Sequence, residues 1–303
     1  MKRILVCGSN GLLGQKLAWM LKNNQEYEVL HTSYHRSFFL GNYPFDYTQL
    51  DISKRSDVKS LVTSYRPDII LNPAGMTNVD QCEVEREAAW KTNVIGLENL
   101  AESARRIGAK LIHISTDYVF DGKNGPYKES DRTNPVNYYG KTKLAGENVI
   151  IGSRVRNAIL RTILIYGTGI QVKNNFALWV VKSLRENKPI RCFEDQIASP
   201  TFLGDIALAV LKVIEVDAEG LYHISGEEAV SRYNFAVQIA KVFNLDSSLI
   251  EKRSLSNMQL PAQRPPVTGF ILEKAKNELR FQPTTLQQGL VNLKQELGTI
   301  TLN

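Results

Sequence analysis

Two residues four positions apart, Tyr139 and Lys143, have the clearest capacity for chemistry in this chain. On a helix that spacing puts both side chains on one face, as neighbours. A tyrosine is a weak acid with a pKa of about 10, and a cation held beside it stabilises the phenolate and lowers that value. Such a pair can move a proton to or from a substrate oxygen. Thr116 adds a hydroxyl. It closes the apolar run Leu111–Ser115 and opens the string Thr116-Asp117-Tyr118-Val119-Phe120-Asp121-Gly122. If that run is a strand, Thr116 stands at its carboxyl end, where open α/β sheets bind ligands.

Gly8, Gly11 and Gly14 form the second group. They follow the apolar run Arg3–Cys7 and open a helical pattern of Leu13, Leu17, Met20 and Leu21. Glycine here lets backbone approach a pyrophosphate, while the helix start presents free N–H groups and the positive end of its dipole. Strand, G-x-x-G-x-x-G loop and helix together predict a dinucleotide site over Gly8, Asn10, Gly11, Leu12, Leu13 and Gly14. The end of the second strand selects the cofactor. An acid there would bind a ribose 2′-hydroxyl. This chain has Ser33-Tyr34-His35-Arg36 instead, and Arg36 can pair with a 2′-phosphate. NADP is therefore expected, with NAD the alternative. Asp51 and Ile52, beyond a third strand, suit an adenine amino group and ring face. The small residues of Asn72-Pro73-Ala74-Gly75 let a loop lie along the cofactor.

These groups need a scaffold, and the pattern supplies one. Strands are expected at Arg3–Cys7, Tyr27–Ser33, Asp68–Leu71, Lys110–Ser115 and Ala158–Ile165. Helices are expected at Leu12–Lys22, Ser56–Tyr65, Glu83–Ala104 (as one long element) and Tyr138–Ile150. Alternation of this kind implies an α/β fold: a Rossmann-type, doubly wound parallel sheet with helices on both faces. It occupies residues 1–165. Beyond Tyr166 the rhythm becomes irregular, with helices at Phe176–Arg185, Asp205–Ile214 and Arg232–Phe243 and short strands at Ile190–Phe193 and Leu221–Ile224. Residues 166–303 are expected to form mainly a smaller α/β substrate-binding lobe, with 200–225 returning to the first domain.

The 303 residues are 43% hydrophobic, enough for a sizeable core. The net charge of +6 is dispersed over the chain, so a nucleic-acid surface is not expected, while an anionic small molecule is. No apolar run is long enough to span a membrane, and Met1–Gly8 reads as a buried strand rather than a signal peptide. Cys7, Cys82 and Cys192 are few and far apart, as in a reducing cytoplasm. His31, His35, His113 and His223 are scattered, read as ordinary strand or surface histidines, and no metal site is expected.

Taken together, Gly8–Gly14, Asn72–Val79 with Asp80, Ser115–Gly122, Asn134–Glu147, Arg161–Gly167, Asp195–Ala207 and Arg264-Pro265 make the chain resemble the extended short-chain dehydrogenase/reductase superfamily. Within it the sequence is similar to the dTDP-4-dehydrorhamnose reductase family over nearly its whole length. The resemblance implies an NADPH-dependent reductase of the 4-keto group of a dTDP-linked deoxysugar. Tyr139 would be the proton donor, Lys143 would hold the nicotinamide ribose and depress the Tyr139 pKa, and Thr116 would orient the substrate oxygen. Tyr118, Thr77 and Val79 would line the sugar side, and Arg264 is a candidate for the substrate diphosphate. Some members are dimers, so a homodimer is an open expectation. Two positions depart from the pattern: Leu164 and Arg232 stand where the family commonly has tryptophan. They leave room for a reductase or epimerase of another nucleotide sugar. A third reading follows from similarity to the regulatory β subunit of methionine adenosyltransferase, which shares the Ser-Asp-Tyr-Val-Phe-Asp-Gly and Tyr-Gly-Lys-Thr-Lys-Leu strings in similar form.

Overall fold

The computed structural model describes every residue except 23, 42–44, 257 and 301–303, so four positions of the expected first domain and four of the expected second lobe lie outside the described residues. Seven strands form one sheet: β1 (Lys2–Cys7), β2 (Tyr27–Ser33), β3 (Asp46–Gln49), β4 (Ile69–Asn72), β5 (Lys110–Thr116), β6 (Asn157–Thr162) and β7 (Gly220–Ile224). Their spatial order is β7-β6-β5-β4-β1-β2-β3, and every neighbouring pair runs parallel. The chain order reverses between β1 and β4, which opens a crevice at the carboxyl ends of the strands.

Alternate strand residues feed two helical layers. Ile4, Val6, Ile69, Leu71, Ile112, Ala158 and Leu160 face α1 (Leu12–Leu21) and α6 (Leu203–Glu215). Leu5, Cys7, Ile70, Leu111 and Ile159 face α2 (Arg55–Tyr65), α3 (Gly96–Ile107) and α4 (Tyr138–Gly152). A strand buried on both faces must be apolar throughout, which explains the near-continuous apolar runs.

A second core joins α5 (Phe176–Arg185), α7 (Arg232–Phe243) and α8 (Leu286–Ile300) around Val180, Leu184, Phe235, Ile239, Leu290 and Leu293. Against it lies a parallel pair, Ile190–Phe193 with Ile250–Arg253. Between these two parts of the fold, α6, β7 and the helix Glu273–Leu279 belong to the sheet's own layers, through Ile206, Val210, Tyr222, Ala275 and Leu279.

Two expected elements are broken. The helix anticipated over Glu83–Ala104 is interrupted at Glu85: Val79–Val84 ends before it, while Arg86–Trp90, a π-helical turn at Lys91–Ile95 and α3 run on without a gap. Glu85 leaves the helical region at φ −98° and ψ 57°. The π turn brings Asn93 to the site, where its amide donates to the Met76 carbonyl and the Thr142 hydroxyl, both at 3.0 Å. The strand expected over Ala158–Ile165 stops at Thr162, because Leu164 adopts φ +39°, a left-handed conformation that leucine rarely takes.

One buried ion pair fastens α4 to the sheet. Glu147 accepts from Ser115 Oγ at 2.5 Å and from Arg161 Nε and Nη2 at 3.0 and 2.6 Å. Both side chains are buried. Removing one partner of such a pair leaves the other charge uncompensated, at a cost of roughly 3–5 kcal/mol. Glu147→Ala is expected to lose about that much stability in urea denaturation; a loss below about 1 kcal/mol would show that the pair does not anchor the helix.

Candidate active site

The glycine loop is shaped by what a side chain would strike. Gly8 has φ +83°, and a Cβ there would lie 2.8 Å from the Ala74 Cα; a Cβ at Gly14 would lie 2.3 Å from the Gly8 oxygen. The loop therefore packs its own turns together and rests on the exit of β4. Gly11 caps α1 without a side-chain hydrogen bond, leaving first-turn N–H groups for an external acceptor. This cradle, closed to any Cβ and open at the helix start, fits a pyrophosphate.

Asn10 does not extend its side chain into that cradle. Its amide donates to Ser33 Oγ and the Ser37 carbonyl, both at 2.9 Å, and its oxygen accepts from Phe39 N at 2.9 Å. Asn10 thus braces the loop that carries Arg36, which is exposed. Leu13 is buried in the core beneath the loop, and Leu12 is half-buried against the same core. Asp51 Oδ1 accepts from the backbone and hydroxyl of Ser53 at 3.0 and 2.7 Å. Ile52 is buried against Gly96, where a Cβ would lie 2.8 Å from its side chain. Pro73, Ala74 and Gly75 are half-buried on the way out of β4, Val79 is half-buried and Thr77 is exposed.

The cap on α4 aims the pair. The Asn137 side chain accepts from Gly140 N at 2.8 Å and starts the helix at Tyr138, so Tyr139 and Lys143 fall on its buried face. Gly140 makes this approach possible, since a Cβ would lie 2.1 Å from the Tyr118 oxygen. The Lys143 ammonium donates to the Ile114 carbonyl at 2.7 Å and to His113 Nε2 at 3.0 Å. A lysine cation has only donors, so His113 must accept at Nε2 and carry its proton on Nδ1. That N–H lies 3.2 Å from the Asn72 carbonyl oxygen. Burial, reinforced by Lys143, holds His113 well below the ordinary histidine range, so the ring is neutral. His113, read from sequence as an ordinary strand residue, is the support of Lys143.

Tyr139 is buried, and desolvation pushes its phenol above the ordinary tyrosine value, against a hydrogen bond with Thr116 that lowers it. In this state the Lys143 ammonium is engaged by the end of β5, and the balance at Tyr139 is set by burial against the Thr116 hydrogen bond. Thr116 also donates to Asp117 Oδ1 at 3.1 Å and accepts from Tyr118 N at 3.2 Å. Asp117 is buried, and desolvation lifts its carboxyl to about 6 despite hydrogen bonds from Thr268 and Thr116. The Tyr118 ring stands edge-on to Tyr139, 5.8 Å between centroids.

Arg264 reaches the same side of the cleft, but its fork is filled by Asp80, with Nη1–Oδ1 at 2.9 Å and Nη2–Oδ2 at 2.7 Å. The pair ties the Pro261–Pro266 loop to the helix Val79–Val84. A diphosphate reaching Arg264 would have to share it with this carboxylate.

Sequence reasoning missed four residues. Gln15 donates to the Asn10 and Ile170 carbonyls at 3.0 and 2.8 Å and accepts from Ile170 N at 2.9 Å, clamping residues near 170 onto the glycine loop. A glutamine beside Leu13 and Leu17 on a core-facing helix was its visible signal. Asn93, His113 and Gln196 act through partners distant in sequence, Gln196 through Tyr118 and Arg232; Gln196 lay within the Asp195–Ala207 string but with no role assigned to it. Among the described residues no group of three or more His, Cys, Asp or Glu side chains could hold a metal, and no helix is long and apolar enough to cross a membrane.

A parallel sheet in this order, with a glycine cradle after β1 and a Thr/Tyr/Lys group at the end of β5, defines the extended short-chain dehydrogenase/reductase class. Residues 1–298 match the family described as the RmlD substrate binding domain, and the chain belongs to that family. It is 34% identical to a dTDP-4-dehydrorhamnose reductase of Aggregatibacter actinomycetemcomitans, over 97% of this chain and 99% of that protein. A crystal structure of dTDP-4-dehydrorhamnose reductase from Bacillus anthracis in complex with NADP superposes with a TM-score of 0.88 at 32% identity, covering 98% of this chain and 100% of that one. Methionine adenosyltransferase 2 subunit beta of Xenopus tropicalis is 34% identical over 82% of this chain and 74% of its own length.

The lysine can be tested by pH. Burial holds Lys143 down to about 8, from an ordinary value of 10.5, so its cation is present below that pH and lost above it. The kcat/KM profile, which reports the free enzyme, is expected to fall as pH rises through about 8. In Lys143→Arg, whose guanidinium stays charged, that limb should leave the accessible range. The same limb in the variant would assign it elsewhere.

Proposed function

We propose that the protein is an NADPH-dependent reductase of the 4-keto group of a dTDP-linked deoxysugar, with dTDP-4-dehydrorhamnose as substrate and dTDP-L-rhamnose as product. The observation that carries this reading is the Thr116, Tyr139 and Lys143 group at the end of β5, across the crevice mouth from the glycine cradle. Gly8, Gly11 and Gly14 would hold the pyrophosphate, Arg36 the 2′-phosphate, Asp51 and Ile52 the adenine, and Asn72–Gly75, Tyr139 and Lys143 the nicotinamide half. NADPH, when bound, supplies the hydride that reduces the keto carbon.

The chain's own residues handle the oxygen. Thr116 and Tyr139 donate hydrogen bonds to the carbonyl oxygen and stabilise the negative charge that develops there. Tyr139 then gives up its phenolic proton to complete the alcohol. Lys143, kept cationic by acceptors from β5, stabilises the phenolate left behind. Tyr118, Thr77 and Val79 line the sugar side, with Arg264 toward the diphosphate. Three buried, unpaired cysteines suit a cytoplasmic enzyme.

Similarity to the methionine adenosyltransferase subunit favours a second reading, a regulatory partner of a larger enzyme. Intact Thr116, Tyr139 and Lys143 geometry supports the reductase over it.

Mixing the protein with NADPH and dTDP-4-dehydrorhamnose should consume the reduced cofactor, followed by its absorbance. Tyr139→Phe is expected to lower kcat by about 10²–10⁴-fold while NADPH binding is retained. Absence of consumption by the wild type would sink the substrate assignment, and full turnover by the variant would remove Tyr139 from the donor role. For the cofactor, Arg36→Ala should raise KM for NADPH several-fold more than KM for NADH; an unchanged ratio would free Arg36 of the 2′-phosphate.

A further inference from the structure

The sugar side of the cleft has a polar wall that the proposed chemistry does not use. Arg232, the first residue of α7, lays its guanidinium across the Phe176 ring at 5.4 Å and donates from Nε to Gln196 Oε1 at 3.3 Å. Gln196 Nε2 donates in turn to the Tyr118 hydroxyl at 3.4 Å. Tyr118 stands edge-on to the proton donor Tyr139. A continuous line of side chains thus runs from the reacting oxygen to Arg232.

The end of that line is unsatisfied. Arg232 Nη1 is buried with no hydrogen-bond partner among the described residues. A buried guanidinium N–H without an acceptor is costly, and the cost is recovered when an oxygen arrives. Charge does not dictate that the oxygen be anionic. Burial disfavours the Arg232 cation; Tyr118, by its charge and a side-chain hydrogen bond to the guanidinium, and Asp117 favour it, with Arg264 opposing them, so the orphan is Nη1 alone. What the site lacks is an acceptor, and a hydroxylated sugar is rich in acceptors. A tryptophan in this place would offer a flat apolar surface; a guanidinium offers directed donors.

Resting on the reductase reading, we propose that Arg232 is a specificity-determining residue that donates from Nη1 to an oxygen substituent of the hexose, so that the enzyme selects its sugar by a hydrogen bond.

The test compares wild type, Arg232→Gln and Arg232→Lys in three measurements: NADPH oxidation with dTDP-4-dehydrorhamnose, and the Kd values of NADPH and of dTDP alone by calorimetry. In Arg232→Gln, KM for the sugar nucleotide is expected to rise about 10–100-fold, more than kcat falls. The Kd values of dTDP and NADPH should stay within about twofold, which a general loss of structure would not allow. Arg232→Lys should recover part of the loss. A dTDP affinity that weakens as much as KM rises would place the guanidinium on the diphosphate and overturn the proposal. So would an unchanged KM, or a KM that rises only together with loss of NADPH binding. If the wild type binds NADPH yet oxidises none with the sugar nucleotide, the reductase reading falls first and this inference with it; if the wild type turns over and Arg232→Gln matches it, only this inference falls.

Discussion

A lysine cation buried at position 143 is the constraint on which the catalytic end of the molecule depends. An ammonium out of water needs acceptors and compensating charge. The acceptors come from one strand end, the Ile114 carbonyl and His113 Nε2. They dictate a neutral His113 with its proton on Nδ1, and they fix the height of α4 against β5. Part of the charge compensation comes from Glu147, one helical turn further on, which favours the cationic form of Lys143. Glu147 is itself held by Arg161 and Ser115. The anchoring ion pair and the catalytic lysine are therefore one electrostatic arrangement, strung along two turns of one helix.

The cofactor side rests on a different principle, close approach of backbone. Gly8, Gly14 and Gly140 each stand where a Cβ would meet main-chain atoms. Polar side chains then brace the thin loops from behind. Gln15 joins the glycine loop to Ile170, and Asn10 joins it to the loop after β2. Division of labour follows: backbone N–H groups are left to face a ligand because side-chain amides have taken the structural bonds.

This division explains what the sequence could reveal. Strand and helix positions were legible because both faces of the sheet are covered and the apolar residues fall into runs such as Arg3–Cys7 and Asp68–Leu71. Tyr139, Lys143 and Thr116 were legible as a candidate group because a four-residue helical spacing and a strand's carboxyl end bring them together. Gln15, Asn93, His113 and Gln196 were not, since each is defined by a partner far along the chain. The helix break at Glu85 and the π turn at Lys91–Ile95 have no strong local breaker either; they answer to Asn93's bonds with Met76 and Thr142. Leu164 is opaque for the same reason, a left-handed leucine whose carbonyl accepts from Thr201 N at 3.1 Å.

Burial shifts the two central groups in opposite directions, and that sets the resting protonation of the pair. The Tyr139 phenol is raised, so at neutral pH it holds its proton firmly; the Lys143 ammonium is lowered to about 8, so it remains charged there without a wide margin. Each shift has the same origin, the cost of a charge out of water, which penalises phenolate and ammonium alike. The proposed reduction starts with Tyr139 as phenol, the form that burial favours. Once the proton has gone to the substrate oxygen, phenolate and ammonium share one poorly solvated site and offset each other's penalty. The same burial therefore sets both the pair's resting protonation and the cost that the proton's departure must meet.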